Sequence, residues 1–102
     1  MKSEKVTKQA VLNTLKKNRK GITRQELSRL TGATDRACRR AVSELRSDGH
    51  IIGTTASGGY SFGNKTDYKR TIAFLTAKAR KEEEIIRAMN RTLGDINQVT
   101  TF

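Results

Sequence analysis

Arg36, Arg39 and Arg40 fall within five residues of one another, and Arg46 follows six residues later. A guanidinium carries a planar fork of N–H donors that matches both the paired acceptors of a guanine edge and the oxygens of a phosphate. The residues between these arginines decide where such forks point. At 100° per residue with Cys38 as origin, Val42 and Leu45 lie within about 40° and Ala41 lies just beside them. That stripe faces a core. Arg36, Arg40, Ser43 and Ser47 fall on the opposite side, while Arg39 and Arg46 flank the stripe. An exposed helical face of this kind suits a DNA major groove. The competing reading is a solvated face whose arginines pair with Glu44 and Asp48.

Hydroxyls and one carboxylate supply further candidates. Thr23-Arg24-Gln25-Glu26 matches a capping box, and a capped helix start is also a phosphate site, so Thr23 and Arg24 can serve both ends. Thr34 or Asp35 caps the arginine-bearing helix. Asp35 can alternatively accept a hydrogen bond from cytosine. Thr54, Thr55 and Ser57 lie in a glycine-rich stretch, Gly53 to Gly59, and are candidate phosphate contacts. That stretch has no Lys or Arg from Thr54 to Gly59, so hydroxyls and backbone N–H groups must do the work, with Lys65 as a substitute cation. Lys16, Lys17, Arg19 and Lys20 gather where the first helix ends, which favours its dipole; backbone contact is their second use. His50 stands alone and reads as structural. The sequence presents no metal-ligand set, no nucleophile–base pair and no phosphate-binding glycine loop, so neither an enzyme nor a cofactor nor a metal is expected.

The elements that must position these side chains follow from periodicity and punctuation. Lys5 to Asn18 reads as a helix with Val11, Leu12 and Leu15 on one face, ended by Arg19-Lys20-Gly21. A second helix runs to about Leu30 with Leu27 and Leu30 inward, and Thr31-Gly32-Ala33 is a tight turn. The third helix reaches Asp48, with Gly49 as its stop. His50 to Ile52 and Tyr60 to Phe62 are short β-like runs around a flexible tip. The expected fold class is mainly α with a small β-hairpin: residues 1–63 as one unit, residues 64–102 as a linker and a C-terminal helix. Thr66 or Asp67 caps that last helix. It has no Gly or Pro from Tyr68 to Leu93, about 39 Å if fully helical, and Gly94 should stop it. Asp95 to Phe102 should fray.

The ordered set Ile22-Thr23-Arg24-Gln25-Glu26-Leu27, Leu30-Thr31-Gly32, Arg39 to Leu45, Asp48 to Ile52 and Gly58-Gly59-Tyr60 resembles winged helix-turn-helix domains. The pattern is similar to the DNA-binding domain at the N-terminus of biotin operon repressors. With the first helix the resemblance covers residues 5–63. It implies a winged helix-turn-helix fold whose third helix enters the major groove and whose Thr23 and Arg24 anchor to phosphate. The whole chain also resembles small proteins of phages and other mobile elements of Gram-positive bacteria. That likeness implies a role in regulating or replicating such an element.

Composition agrees with a nucleic-acid partner. The 102 residues carry a net charge of +11, with 34% hydrophobic and 30% charged residues. Residues 1–63 hold 13 Lys and Arg against 5 Asp and Glu; residues 64–102 hold 8 against 5. The positive field is thus concentrated on the first unit, where nucleic acid, an anionic membrane surface or an acidic protein is the natural partner. No apolar run approaches a membrane span, the Met1-Lys2-Ser3-Glu4 start has no signal-peptide character, and Cys38 is the only cysteine. The expected location is the cytoplasm.

The last helix carries a heptad: Tyr68, Ile72, Leu75, Ala79, Glu82, Ile86, Met89 and Leu93, apolar except at Glu82. A 3.5-residue repeat suits a two-helix coiled coil, hence a homodimer. The alternatives are packing on the chain's own domain, with Phe74 and Ile85 as off-stripe contacts, or capture of another protein. The expected activity is sequence-specific binding of double-stranded DNA by a dimer. Its competitors are a protein-interaction module on the same fold and a binder of RNA or non-B-form nucleic acid.

Overall fold

The computed structural model describes the backbone from Glu4 to Val99 and the side chains from residue 7 to residue 97. Threonines set the starts of two helices. The Glu26 N–H donates to Thr23 Oγ1 at 3.1 Å ahead of α2 (Arg24–Thr31), and the Ala37 N–H donates to Thr34 Oγ1 at 3.1 Å ahead of α3 (Asp35–Ser47). Thr34 is therefore the cap and Asp35 the first helical residue. Preceding them is α1 (Glu4–Lys17), which packs on α2 and α3.

The core joins Val11, Leu12 and Leu15 of α1, Ile22 and Leu27, the α3 stripe Cys38, Ala41, Val42 and Leu45, and Ile52 and Tyr60 of the hairpin. Leu30 does not join it. It is 48% exposed, and Thr31 is buried in its place. The inward face of this two-turn helix follows the i to i+4 line from Leu27 to Thr31. The threonine hydroxyl is satisfied there by donating to the Leu27 carbonyl at 2.8 Å, so its burial leaves no orphaned polar atom.

Strands β1 (Ile52–Thr54) and β2 (Tyr60–Phe62) pair antiparallel in the register Ile52 to Phe62, Gly53 to Ser61 and Thr54 to Tyr60. The first strand begins two residues later than the sequence suggested, because the His50 N–H is taken by the Leu45 carbonyl at 3.0 Å as α3 ends. Ile22 adds a third backbone segment. It exchanges both backbone hydrogen bonds with Tyr60, each at 2.9 Å. Gly59 makes that approach feasible: a Cβ there would lie 2.2 Å from the Ile22 carbonyl oxygen.

Helix α4 (Lys65–Val99) starts earlier and ends later than expected. Asn64, rather than Thr66 or Asp67, receives the first-turn N–H: Asp67 N donates to Asn64 Oδ1 at 3.0 Å. Gly94 does not stop the helix, which reaches Val99. Glycine inside a helix costs only about 1 kcal/mol relative to alanine, and no proline follows to enforce a stop. The 35 residues make about 52 Å of helix. The last three residues of the expected frayed end lie outside the described residues.

The chain divides into two compact units, one up to Thr71 and one from Ile72 onward, rather than at residue 63. The start of α4 belongs to the first because it is bonded to the hairpin. Ser61 Oγ, fully buried, donates to Asp67 Oδ2 at 2.7 Å, and the Thr54 N–H donates to Thr71 Oγ1 at 2.8 Å. Gly53 sits so close to this turn that a Cβ would meet Asp67 Cβ at 2.6 Å. In the second unit every described side chain is exposed. No described helix is long and apolar enough to cross a membrane.

Candidate nucleic-acid interface

The α3 wheel is realised as drawn. Cys38, Ala41, Val42 and Leu45 are buried, while Arg36, Arg39, Arg40, Ser43 and Ser47 are exposed. Arg36 and Arg40 line an open cleft of about 280 Å³ with Thr7, Thr34, Ala37, Ala41 and Glu44. Ser47 Oγ donates back to the Ser43 carbonyl at 3.2 Å. Asp48 pairs with Lys8 of α1 at 2.6 Å.

Asp35 joins the two helices. Arg24 grips it with two bonds, Nε to Oδ1 at 2.9 Å and Nη2 to Oδ2 at 2.5 Å, and Arg39 Nε lies 3.2 Å from Oδ2. Hydrogen bonding from Arg24, aided by the charges of Arg24 and Arg39, holds the Asp35 carboxyl below its ordinary range. The same bond raises Arg24. Asp35 is thus bound on both oxygens within the protein. Its geometry fits an orienting role for two arginines better than acceptance from a base.

Arg46 turns toward the hairpin instead of solvent. Its Nε donates to the Ile52 carbonyl at 2.7 Å, its Nη2 to Thr54 Oγ1 at 3.2 Å, and its guanidinium lies 6.0 Å from the centre of the Tyr60 ring. Burial pushes this guanidinium down from its usual value and pushes the Tyr60 phenol up. Arg46 braces the hairpin against α3. Thr54 takes part in the same brace: its hydroxyl accepts from Arg46 and its N–H donates to Thr71 Oγ1.

Thr55 and Ser57 remain at the tip, where their hydroxyls lie 3.1 Å apart and Thr55 Oγ1 also accepts the Gly59 N–H at 2.9 Å. An open groove of about 720 Å³ brings Ser57, Gly58 and Gly59 together with Thr23, Arg24, Gln25, Ser28 and Asp35. A second cleft of about 270 Å³ sets Lys20 and Thr23 beside Thr55 and Ser57. The cation that the tip lacks in sequence is therefore supplied by the loop between α1 and α2. Sequence reasoning looked to Lys65 for it; the signal for Lys20 is the pairing of Ile22 with Tyr60, which no local pattern reveals. Arg19 and Lys16 lie over the Phe62 ring, 5.6 and 6.0 Å from its centre. Gln25 and Ser28 also line the groove of about 720 Å³, although of α2 only Arg24 was singled out by the sequence as a candidate contact.

Of the heptad positions, Tyr68 is half-buried in the first unit and Ala79 is exposed. Ile72, Leu75, Ile86, Met89 and Leu93 are 46–65% exposed. Continuation of the helix past Gly94 adds Ile96 to the stripe. Off it, Phe74 is 67% and Ile85 48% exposed. Among the described residues no cluster of His, Cys, Asp or Glu is arranged to hold a metal ion.

Three helices, the third presenting cations outward, and a hairpin braced against that helix define a winged helix-turn-helix domain. A family model described as HTH domain matches residues 7–61, more than half of the chain. The chain belongs to that family, which is one of DNA-binding domains and not of enzymes. No curated protein and no solved structure matches the chain significantly.

Proposed function

We propose that the chain is a cytoplasmic, sequence-specific binder of double-stranded DNA that acts as a homodimer. On this reading it is a transcriptional regulator or replication-origin binder of the biotin-operon-repressor-like type, serving a phage or other mobile element. The observation that carries the proposal is the exposed cationic side of α3. Arg36 and Arg40 point outward from α3, and a groove beside Asp35 connects the start of α2 with the hairpin tip. Arg36, Arg40, Ser43 and Ser47 supply base and groove contacts. Thr23, Arg24, Thr55, Ser57 and Lys20 hold phosphates on either side. Arg39, shared with Asp35, sits at the edge of the groove.

The test is binding to selected duplex at several salt concentrations. With roughly 6–10 phosphate contacts per dimer, affinity should fall about 10³–10⁵-fold between 50 and 200 mM salt. Replacing Arg36 or Arg40 by Ala should cost about 1–3 kcal/mol on the preferred site and relax the preference at one base pair. A flat salt response rules out DNA as the partner. An unaltered site preference in both variants removes α3 from the reading role.

A further inference from the structure

We infer that α4 pairs with α4 of a second copy in antiparallel orientation, with Ala79 of each opposite Glu82 of the other. This rests on the homodimer proposed above and fixes its geometry. The stripe itself does not choose a direction; its one charged member and the distribution of charge along the helix do.

Aligning Ala79 with Glu82 sets Ile72 opposite Met89 and Leu75 opposite Ile86, each twice by symmetry. Every layer then matches bulk with bulk, except the central two, where the smallest stripe residue faces the charged one. Alanine leaves room for the Glu82 side chain to bend out toward Lys78 of the second copy, which lies at the flank of the same layer. A parallel pair behaves differently. It stacks Glu82 on Glu82 in a single layer of the interface and leaves an Ala79–Ala79 void beside it. Two like carboxylates withdrawn from water without a partner are strongly disfavoured.

Charge agrees. Residues 72–81 carry Lys78, Arg80 and Lys81 and no acid, whereas residues 82–97 carry Glu82, Glu83, Glu84 and Asp95 against Arg87 and Arg91. Antiparallel pairing lays the cationic half on the anionic half. Parallel pairing lays each on its like. It does offer one compensating contact, Lys78 to Glu83 across the flank, but an exposed ion pair contributes little against a buried carboxylate pair.

Oxidative cross-linking of the full chain separates the arrangements. Ile72 and Met89 are exposed, so Ile72→Cys and Met89→Cys leave the first unit folded, and the buried Cys38 does not compete. In an antiparallel pair the two Ile72 positions stand about 26 Å apart along the axis. Each variant alone should therefore give no disulfide, and an equimolar mixture should give the mixed dimer. A covalent dimer from Ile72→Cys alone overturns the antiparallel arrangement while leaving the homodimer standing. A dimer by light scattering that cross-links in no mixture overturns this register. A wild-type chain that scatters as a monomer at tens of micromolar overturns the homodimer and this inference together.

Discussion

The two units hold the same kinds of aliphatic side chain in opposite conditions. In the first, Val11, Leu15, Leu27, Leu45 and Ile52 are fully buried, and some of its charged groups, Lys8 with Asp48, Arg24 with Asp35 and Arg46 with the hairpin, tie elements together. In the second, Ile72, Leu75, Ile86, Met89 and Leu93 are exposed, as are the lysines and arginines beside them. A chain that closes its own core is left with its cations as the means of meeting a partner. A helix that leaves an apolar stripe open meets its partner through that stripe. On the proposed reading, the contact with DNA is ionic and the contact with a second copy is apolar, so substitutions in the two units act through different interactions.

The sharpest break is made in the buried set. Leu45→Ala should lower the stability of the first unit by about 2–5 kcal/mol, read by urea unfolding, because it empties the centre of a small core. The same truncation at Leu93 should leave that unfolding transition where it is. Next comes the open stripe. Ile86→Asp removes about 1.5–3 kcal/mol of burial from each copy, so the dimer dissociation constant should rise at least about 100-fold. Analytical ultracentrifugation would see monomers while the first unit unfolds as in the parent; a persisting dimer would move the interface off this stripe. The smallest effect lies at the bridge between α2 and α3. Asp35→Asn removes a negative charge beside the groove and releases the Nε and Nη2 donors of Arg24, which with Asp35 in place reaches phosphate only through its other N–H groups. Affinity for any duplex should rise a few-fold, and the salt dependence should steepen by about one unit per released cation. Because Arg24 holds the Asp35 carboxyl below the usual carboxylate range, protonation reaches it only at acidic pH, and substitution is the practical way to open the bridge.

Much of the first unit was legible because its determinants are local. The threonine caps, the α3 stripe and the two strand segments around a glycine-rich tip are all written within a few residues of where they act. Leu30 misled because i+3 and i+4 are equally good helical neighbours of Leu27, and the choice falls to a hydroxyl that finds a carbonyl. Arg46 was illegible for a different reason: the carbonyl and hydroxyl that capture it belong to a strand formed later in the chain. Lys20 beside the tip depends on a pairing between residues 22 and 60. Gly94 was overvalued as a stop, since a single glycine without a following proline is a modest penalty spread over a long helix. On the candidate site, residue types were readable, but which arginines are engaged by the protein itself was not.

The bonds from Ser61 to Asp67 and from Thr54 to Thr71 have a consequence for how such a chain can be inherited. The family match ends at residue 61, yet a chain cut there leaves a buried serine hydroxyl and a strand N–H with no acceptor. A chimaera that exchanges tails between relatives of this domain therefore keeps an intact hairpin only when the junction falls beyond Thr71, and Gly53 must be kept with it. The unit of exchange is longer than the matched unit by about ten residues, the last seven of them about two turns of helix that travel with the domain whatever follows them.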